Sequence, residues 1–450
     1  MYALGIDIGT TTISAVVVNT ENGNVETART VENGSFLDRG REWERIQDPD
    51  QILSKVKALL DELFETYQNP AVIGLTGQMH GIVYLDNEGK HVSPLYTWQD
   101  GSGDLECFDG RSMCRILKED YGAAANTGYG LITYLYHCRT GGVPETAAKV
   151  CTIMDYLGMV LTGRRTPLTH SSNAASLGLY DSGKKCFCTD ILEKEGGKAS
   201  IVPEVTDTFE LLGTWRGVPV STALGDNQAS FLGSVTDAAD SVLVNMGTGG
   251  QISVLSDRSF TAEGIEARPF GDGNYLLAGS SLCGGQAYAA LKNFFEAYAE
   301  AAGVNGVDHY EIMDRFLTAF DRANCAPMKV TTTFLGTRGD PKKRGSIEGI
   351  SLNNFSPAAL TYGVLEGMAE ELYQMYKQIV DGLHISRSRM IASGNGIRMN
   401  RHLQKIMCEK FSMTLQMAPH EEEAAYGAAR SGLIAAGYMT LAEAVGVTDL

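Results

Sequence analysis

Asp7, Gly9 and the three threonines Thr10, Thr11 and Thr12 stand between two apolar runs within residues 4–18. Such a set suits phosphate, because glycine lets a ligand approach the backbone N–H groups and the hydroxyls add further donors. Asp7 interrupts a strand otherwise made of Leu4, Ile6 and Ile8. A carboxylate there is costly unless it meets a cation or donors, and a magnesium ion riding on a nucleotide supplies the cation. Taken alone, a glycine turn between strands reads more readily as an ordinary hairpin.

An echo changes that balance. Residues 242–256 repeat the apolar frame around Gly247, Thr248 and Gly249, with Gly247 lying 238 residues after Gly9. Two such hairpins suggest two related domains, each offering one turn to a common cleft so that one nucleotide is held from both sides. That arrangement resembles the actin, sugar kinase and Hsp70 ATPase superfamily.

Three clusters between the hairpins carry chemistry of their own. Gln78, Met79 and His80, flanked by Gly77 and Gly81, follow an apolar run at 71–75. The run reads as a buried strand, and in open α/β sheets ligands bind at the carboxyl ends of strands. A lone His80 would be read as a satisfied core histidine; its place after the strand shifts the reading towards function. Trp98 and Asp100, in the stretch 97–101, read equally as a sugar-binding wall or as a tryptophan in an ordinary loop. Asp226, between Gly225 and Asn227, follows an expected strand at 218–223 and is either a helix cap or a general base taking a hydroxyl proton. The surrounding architecture favours the base.

In the second half, Gly284, Gly285 and Gln286 precede a helix expected to run to about residue 301. Those glycines either let a flat ring approach the backbone or allow close packing. Gly394 and Asn395 sit in a strand, glycine turn, helix arrangement at 390–400, a nucleotide-binding pattern that is weak alone. Lys342, Lys343 and Arg344 read as a solvated surface.

These groups need elements to position them. Asp48 and Pro49 start a helix whose apolar face is Ile52, Leu53, Val56, Leu59, Leu60, Leu63 and Phe64, ending by Asn69 and Pro70. Ser356 and Pro357 cap a longer one carrying Val364, Leu365, Met368, Leu372, Met375, Ile379 and Leu383. Strands are expected at 329–335, 390–392 and 414–417, with helices from about residue 400 and over 421–436. The domain boundary falls near 233–240, giving domains 1–235, with the sugar and the base, and 236–450, with the nucleotide.

At 450 residues the chain suits two domains, and 44% apolar content supports full packing. A formal charge of −17 argues against nucleic acid or an anionic membrane as partner. No run of sequence is long and apolar enough to span a bilayer, and Met1 leads straight into the first strand, so a cytoplasmic protein is expected. Nine cysteines without a Cys-x-x-Cys pair read as reduced, mostly buried thiols, and the eight scattered histidines suggest no metal site built by side chains alone. A homodimer stays open.

With these residues in place, the chain resembles the FGGY carbohydrate kinases over nearly its whole length. The resemblance rests on Asp7 to Thr11, Gly77 to Gly81, Gly225 to Asn227, Gly247 with Thr248, and Ser393 to Gly396. It implies an α/β fold of two actin-like (ribonuclease H-like) ATPase domains with a catalytic cleft between them. It also implies phosphoryl transfer from MgATP to a primary hydroxyl of a small-molecule sugar. Residues 97–101, 127–130, 173–176 and 223–230 look most similar to the sedoheptulokinase branch; Asn227 is as expected for xylulokinases, and Ser102 stands where related chains often carry Arg. By the same resemblance Asp226 is the base, and Gln78, Met79, His80, Trp98, Asp100 and Asn227 line the sugar pocket. Thr10, Thr11, Thr12, Gly247, Thr248 and Gly249 hold phosphates, Asp7 supports magnesium through water, and Gly284, Gln286, Gly394 and Asn395 border adenosine. The alternatives are a xylulokinase or other pentulokinase and, from another class, a non-catalytic nucleotide-binding protein of the superfamily.

Overall fold

Strand β1 (Tyr2–Ile8) reverses through Gly9 into β2 (Thr12–Asn19), and the two pair without a break from Tyr2 with Asn19 to Ile8 with Ile13. The computed structural model describes residues 1–340 and 342–447. It contains two compact units, one of Met1–Thr236, Arg268–Asn274 and His420–Leu450, the other of Asp237–Ala267 and Tyr275–Pro419.

In the first unit β3 (Val25–Glu32) extends the hairpin antiparallel on β2. Helix α1 (Pro49–Thr66) then carries the chain over to β4 (Val72–Gly77), which pairs parallel to β1. Asp48 caps α1 by accepting from the N–H groups of Asp50 and Gln51, and Ile52, Val56 and Leu60 are fully buried beneath it. A long excursion, with the short helix α2 (Ser171–Ser176), leads to β5 (Leu211–Trp215) and β6 (Val218–Gly225). The sheet order is β5-β6-β4-β1-β2-β3. Helix α3 (Asp226–Ser234) leaves the carboxyl end of β6 directly.

The second unit repeats the plan. Strands β7 (Ser241–Met246) and β8 (Gly250–Ser256) form the hairpin, followed by β9 (Ile265–Gly271) and β10 (Asn274–Ser281), whose residues Arg268–Asn274 count with the first unit. Helices α4 (Gly284–Ala301) and α5 (Pro357–Leu383), strand β11 (Arg389–Ser393), helix α6 (Arg401–Phe411) and strand β12 (Thr414–Met417) complete it. The order is β9-β10-β8-β7-β11-β12, with β7, β11 and β12 parallel. Ser356 caps α5, whose Leu365, Leu372 and Ile379 are fully buried in this unit's core. The strand expected at 329–335 ends at Thr331, because Phe334 and Gly336 turn their N–H groups back to Thr332 and Thr333.

The last long helix, α7 (Glu423–Ala435), belongs to the first unit. Its Ala425, Ala429 and Leu433 pack with Ala3, Val16, Val18 and Val72 on one face of that sheet. The approach is backbone against backbone. A methyl at Gly5 would stand 1.8 Å from the Ala425 carbonyl, and one at Gly74 would stand 1.7 Å from that of Ala428. Among the described residues no helix is long and apolar enough to cross a membrane. The nine cysteines are unpaired, but only Cys114, Cys151 and Cys283 are buried, so the expectation of mostly buried thiols holds for three.

Candidate active site

The first hairpin turn is braced by side chains of its own unit. The Asn33 side chain donates to the Gly9 carbonyl at 2.7 Å, Gln47 donates to that of Thr10 at 2.9 Å, and the Asn33 N–H reaches Thr11 at 2.8 Å. With its acceptors occupied, what the turn has left to offer a ligand is donors, including the exposed hydroxyls of Thr11 and Thr12. Trp98 reaches the same turn. Its ring N–H donates to the Thr10 hydroxyl at 2.9 Å, and the side chain stays 46% exposed, so an aromatic face stands beside the phosphate-type turn.

Gln78 and Asp100 are the two expected sugar contacts whose side chains turn into the unit instead. Gln78 is buried, donating to Gln47 at 2.8 Å and accepting from Thr10 at 3.3 Å, so it braces the turn from below. Asp100 is fully buried and accepts from the Ser102 N–H at 3.1 Å and from the Ser102 hydroxyl, which makes it the anchor of its loop.

Met79 packs at the start of α3, and His80 beside it is tied to α2. Met79 is buried against Gly225, where an added methyl would meet its Cε at 2.7 Å, and its sulfur lies 3.6 Å from the Asn227 amide. His80 has φ +76°, a left-handed conformation that a non-glycine residue adopts only when held there. Ser176 holds it. Its hydroxyl accepts from the His80 N–H at 3.1 Å, and its carbonyl, 2.8 Å from His80 Nδ1, accepts from that nitrogen, so Nδ1 carries a proton. The ring stacks on Tyr129, centroids 4.5 Å apart.

Asp226 opens α3, and Asn227 donates to its Oδ1 at 2.6 Å. Burial pushes its carboxyl up to about 6, against the lowering pull of Asn227 and of the Arg268 guanidinium. A carboxylate poised there can take a proton from a hydroxyl near neutral pH. Asp7, at the end of β1, is pushed up to about 7 by burial and then by the negative charges of Asp226 and Glu422. Like charges gathered around a carboxylate make a place that favours a cation. Among the described residues no three His, Cys, Asp or Glu side chains form a metal site by themselves. A buried carboxylate so placed is fit to hold magnesium through water.

The second turn is braced by backbone. Its Gly247 and Thr248 carbonyls accept from the N–H groups of Gly285 and Gln286 at 2.9 and 3.0 Å, so the turn itself caps α4, which has no side-chain cap. A methyl at Gly284 would stand 2.3 Å from the Gly249 carbonyl carbon, so the helix start lies directly on the turn. Gly284 is thus buried in packing, whereas Gln286 and Thr248 are exposed. A pocket of about 330 Å³ opens here, lined among others by Asn245, Thr248, Gly249, Gln251, Ser280 and Arg338. Gly394, at φ +84°, lies over the Met246 carbonyl, which a methyl would meet at 2.6 Å; Asn395 beside it is exposed.

Sequence reasoning missed several of these groups. Asn33 and Gln47 carry no local pattern, and Arg268 and Arg338 lie outside every motif the sequence offered. Ser176 lay in the stretch 173–176, which carried a family resemblance with no chemistry attached.

Two family models match the chain: the N-terminal domain of the FGGY family of carbohydrate kinases over residues 2–233 and its C-terminal domain over 242–436. Mouse sedoheptulokinase is 27% identical, with 95% of this chain and 96% of that protein covered. A xylulose kinase of Lactococcus lactis is 26% identical, covering 99% and 90%. Among solved structures, xylulose kinase from Rhodospirillum rubrum superposes with a TM-score of 0.85 over 99% of this chain and 92% of that one, at 22% identity. The fold is therefore the two-domain α/β fold of these kinases.

Proposed function

This chain belongs to the FGGY family of carbohydrate kinases, and from that premise we propose that it transfers the γ-phosphoryl group of MgATP to a primary hydroxyl of a ketose in the cytoplasm, sedoheptulose being the first candidate. The observation that carries the reading is the convergence at the start of α3. There a carboxylate pushed up to about 6 stands next to Asn227, with Met79 packed on the preceding glycine.

In this reading Asp226 takes the proton of the attacking hydroxyl. His80 Nε2 accepts from a neighbouring sugar hydroxyl, Asn227 orients the base, and the Trp98 face covers the C–H side of the sugar. The donors of the first turn and those around Gly247 to Gly249 hold phosphate oxygens. Magnesium, when bound, neutralises charge building on the transferring phosphoryl group, and Asp7 holds it through water. Gly394 and Asn395 border the nucleoside. Because phosphoryl transfer leaves little covalent work to the protein, positioning carries most of the rate.

Sedoheptulose is favoured by the likeness to the mouse sedoheptulokinase, which spans nearly the whole of both chains. The likeness to the lactococcal xylulose kinase, of similar identity, keeps a pentulose as the second reading. ADP release should be measured with MgATP against sedoheptulose, xylulose, ribulose, fructose and glycerol, with Asp226→Asn alongside. Preference for sedoheptulose, with turnover down about 10²-fold or more in the variant while the sugar still binds, is the expected result. Preference for xylulose replaces the substrate and keeps the mechanism. Turnover of no sugar, or near-normal turnover in Asp226→Asn, overturns the reading.

A further inference from the structure

Helix α2 ties together the two stretches of the first unit that carry the proposed chemistry. Its Ser176 holds His80, its Asn173 side chain donates to the Ala223 carbonyl at 2.8 Å, and its Ser172 hydroxyl accepts from the Gly225 N–H at 3.0 Å. The last two contacts grip the end of β6, from which α3 and Asp226 start. All three residues are buried, so water does not compete for these bonds.

What fixes Ser172 is the residue before the helix. His170, 1% exposed, caps α2 with Nδ1, which accepts from the Ser172 N–H at 3.2 Å and lies 2.8 Å from the Ser172 hydroxyl oxygen. Since Nδ1 accepts a backbone N–H it carries the lone pair, so the Ser172 hydroxyl must donate to it, and the Ser172 oxygen then turns its own lone pair to Gly225. Burial keeps the ring neutral, pushing it down to about 4 against the opposing pull of Asp207 and Glu210. The ring has no slack. Phe209 packs 5.4 Å away, centroid to centroid, and a methyl at Gly271 would meet Nε2 at 3.0 Å.

We propose that His170 is a positioning residue for phosphoryl transfer: Nδ1 orients the Ser172 hydroxyl, which fixes the Gly225 peptide and with it the aim of Asp226. The inference rests on the reading of Asp226 as base. It goes further in making the direction of that base depend on a histidine that touches no substrate.

The test compares three single variants and the double variant His170→Phe with Ser172→Ala, each checked by thermal melting. His170→Asn puts an amide oxygen near the position of Nδ1, whereas His170→Phe keeps the ring and removes the acceptor; Ser172→Ala removes the link itself. Two readouts are taken: kcat and KM with the best ketose of the panel, and hydrogen exchange at the Gly225 amide. His170→Phe and Ser172→Ala should each lower kcat about tenfold with KM values nearly unchanged, because a misaimed base costs turnover more than binding. Both should speed Gly225 exchange, the double variant should be no worse than the worse single, and His170→Asn should restore kcat to within about threefold of wild type. Unchanged kcat or unchanged Gly225 exchange in folded His170→Phe overturns the proposal while leaving the kinase reading intact. If the wild-type chain turns over no ketose, the kinase reading fails by itself, and faster exchange then shows a structural contact with no positioning role.

Discussion

The two hairpin turns share a frame, Asp7-Ile8-Gly9-Thr10 in one unit and Asn245-Met246-Gly247-Thr248 in the other, yet they are held by different means. The first is gripped by the side chains of Asn33 and Gln47 and by Trp98 on its threonine. The second is gripped by the backbone of α4, with Gly284 against Gly249. Their charge differs too. Asp7 stands among like charges, whereas its counterpart Asn245 is neutral and donates to the Ser393 hydroxyl at 2.8 Å. Side-chain bracing tolerates, and even needs, polar chemistry beside the turn. Backbone bracing leaves no room for a methyl at Gly284, where the helix start meets the turn.

That contrast can be broken most directly at Gly284. Gly284→Ala drives a methyl into backbone that cannot step aside, and should destabilise the second unit by about 3 kcal/mol, read by urea unfolding followed with a probe in that unit. Loss of less than about 1 kcal/mol would mean that the turn and helix separate easily, and the bracing would not be what it looks like.

Burial of Asp226 predicts a pH effect in the first unit. Below about 3.8 Asp226 is protonated in both folded and unfolded chains; as pH rises, the unfolded chain gives up the proton first and the folded one holds it up to about 6. The folded state then binds more protons, so its stability falls across that window and stays lowered above it. In metal-free buffer Asp226→Asn should therefore stabilise the first unit by about 2 kcal/mol at pH 8 and by almost nothing at pH 3.5, after allowance for partial exposure. Equal gains at both pH values would remove burial of the charge as the cause.

The smallest expected effect is the sharpest on function. A methyl at Gly247 meets no protein atom within 4 Å, so Gly247→Ala should melt as the wild type does. If phosphate oxygens occupy that space, the same variant should raise KM for ATP about tenfold, the cost of one displaced contact. An unchanged KM would take the second turn out of the phosphate site.

The hairpins were legible because their signal is local: alternating β-branched residues around glycine and threonine specify a strand, a turn and a strand. Helix α5 was legible for a similar reason, its apolar positions recurring at helical spacing from a Ser-Pro start. The inward turn of Gln78 and Asp100 was not, since a polar residue beside a glycine gives no sign of whether its partner is a ligand or a buried Gln47 or Ser102. Nor was the role of Arg268, which comes to Asp226 from a position more than forty residues on and leaves no local trace. The docking of α7 was hidden for a subtler cause. Its contact is written in glycines 5 and 74, whose significance is the absence of an atom.

That docking has a consequence in time. The sheet face formed by Ala3, Val16, Val18 and Val72 is covered by residues 425–433, made about 200 residues after the rest of the first unit's sheet. At ribosomal speeds of about 5–20 residues per second, the face waits roughly 10–40 s for its cover. Throughout that interval the nascent chain carries an apolar, glycine-pitted surface that fits one particular helix closely and offers little to other side chains. The first unit is thus the earlier to begin and among the last to be finished, and a ribosome stalled before residue 423 would leave that sheet open on one side.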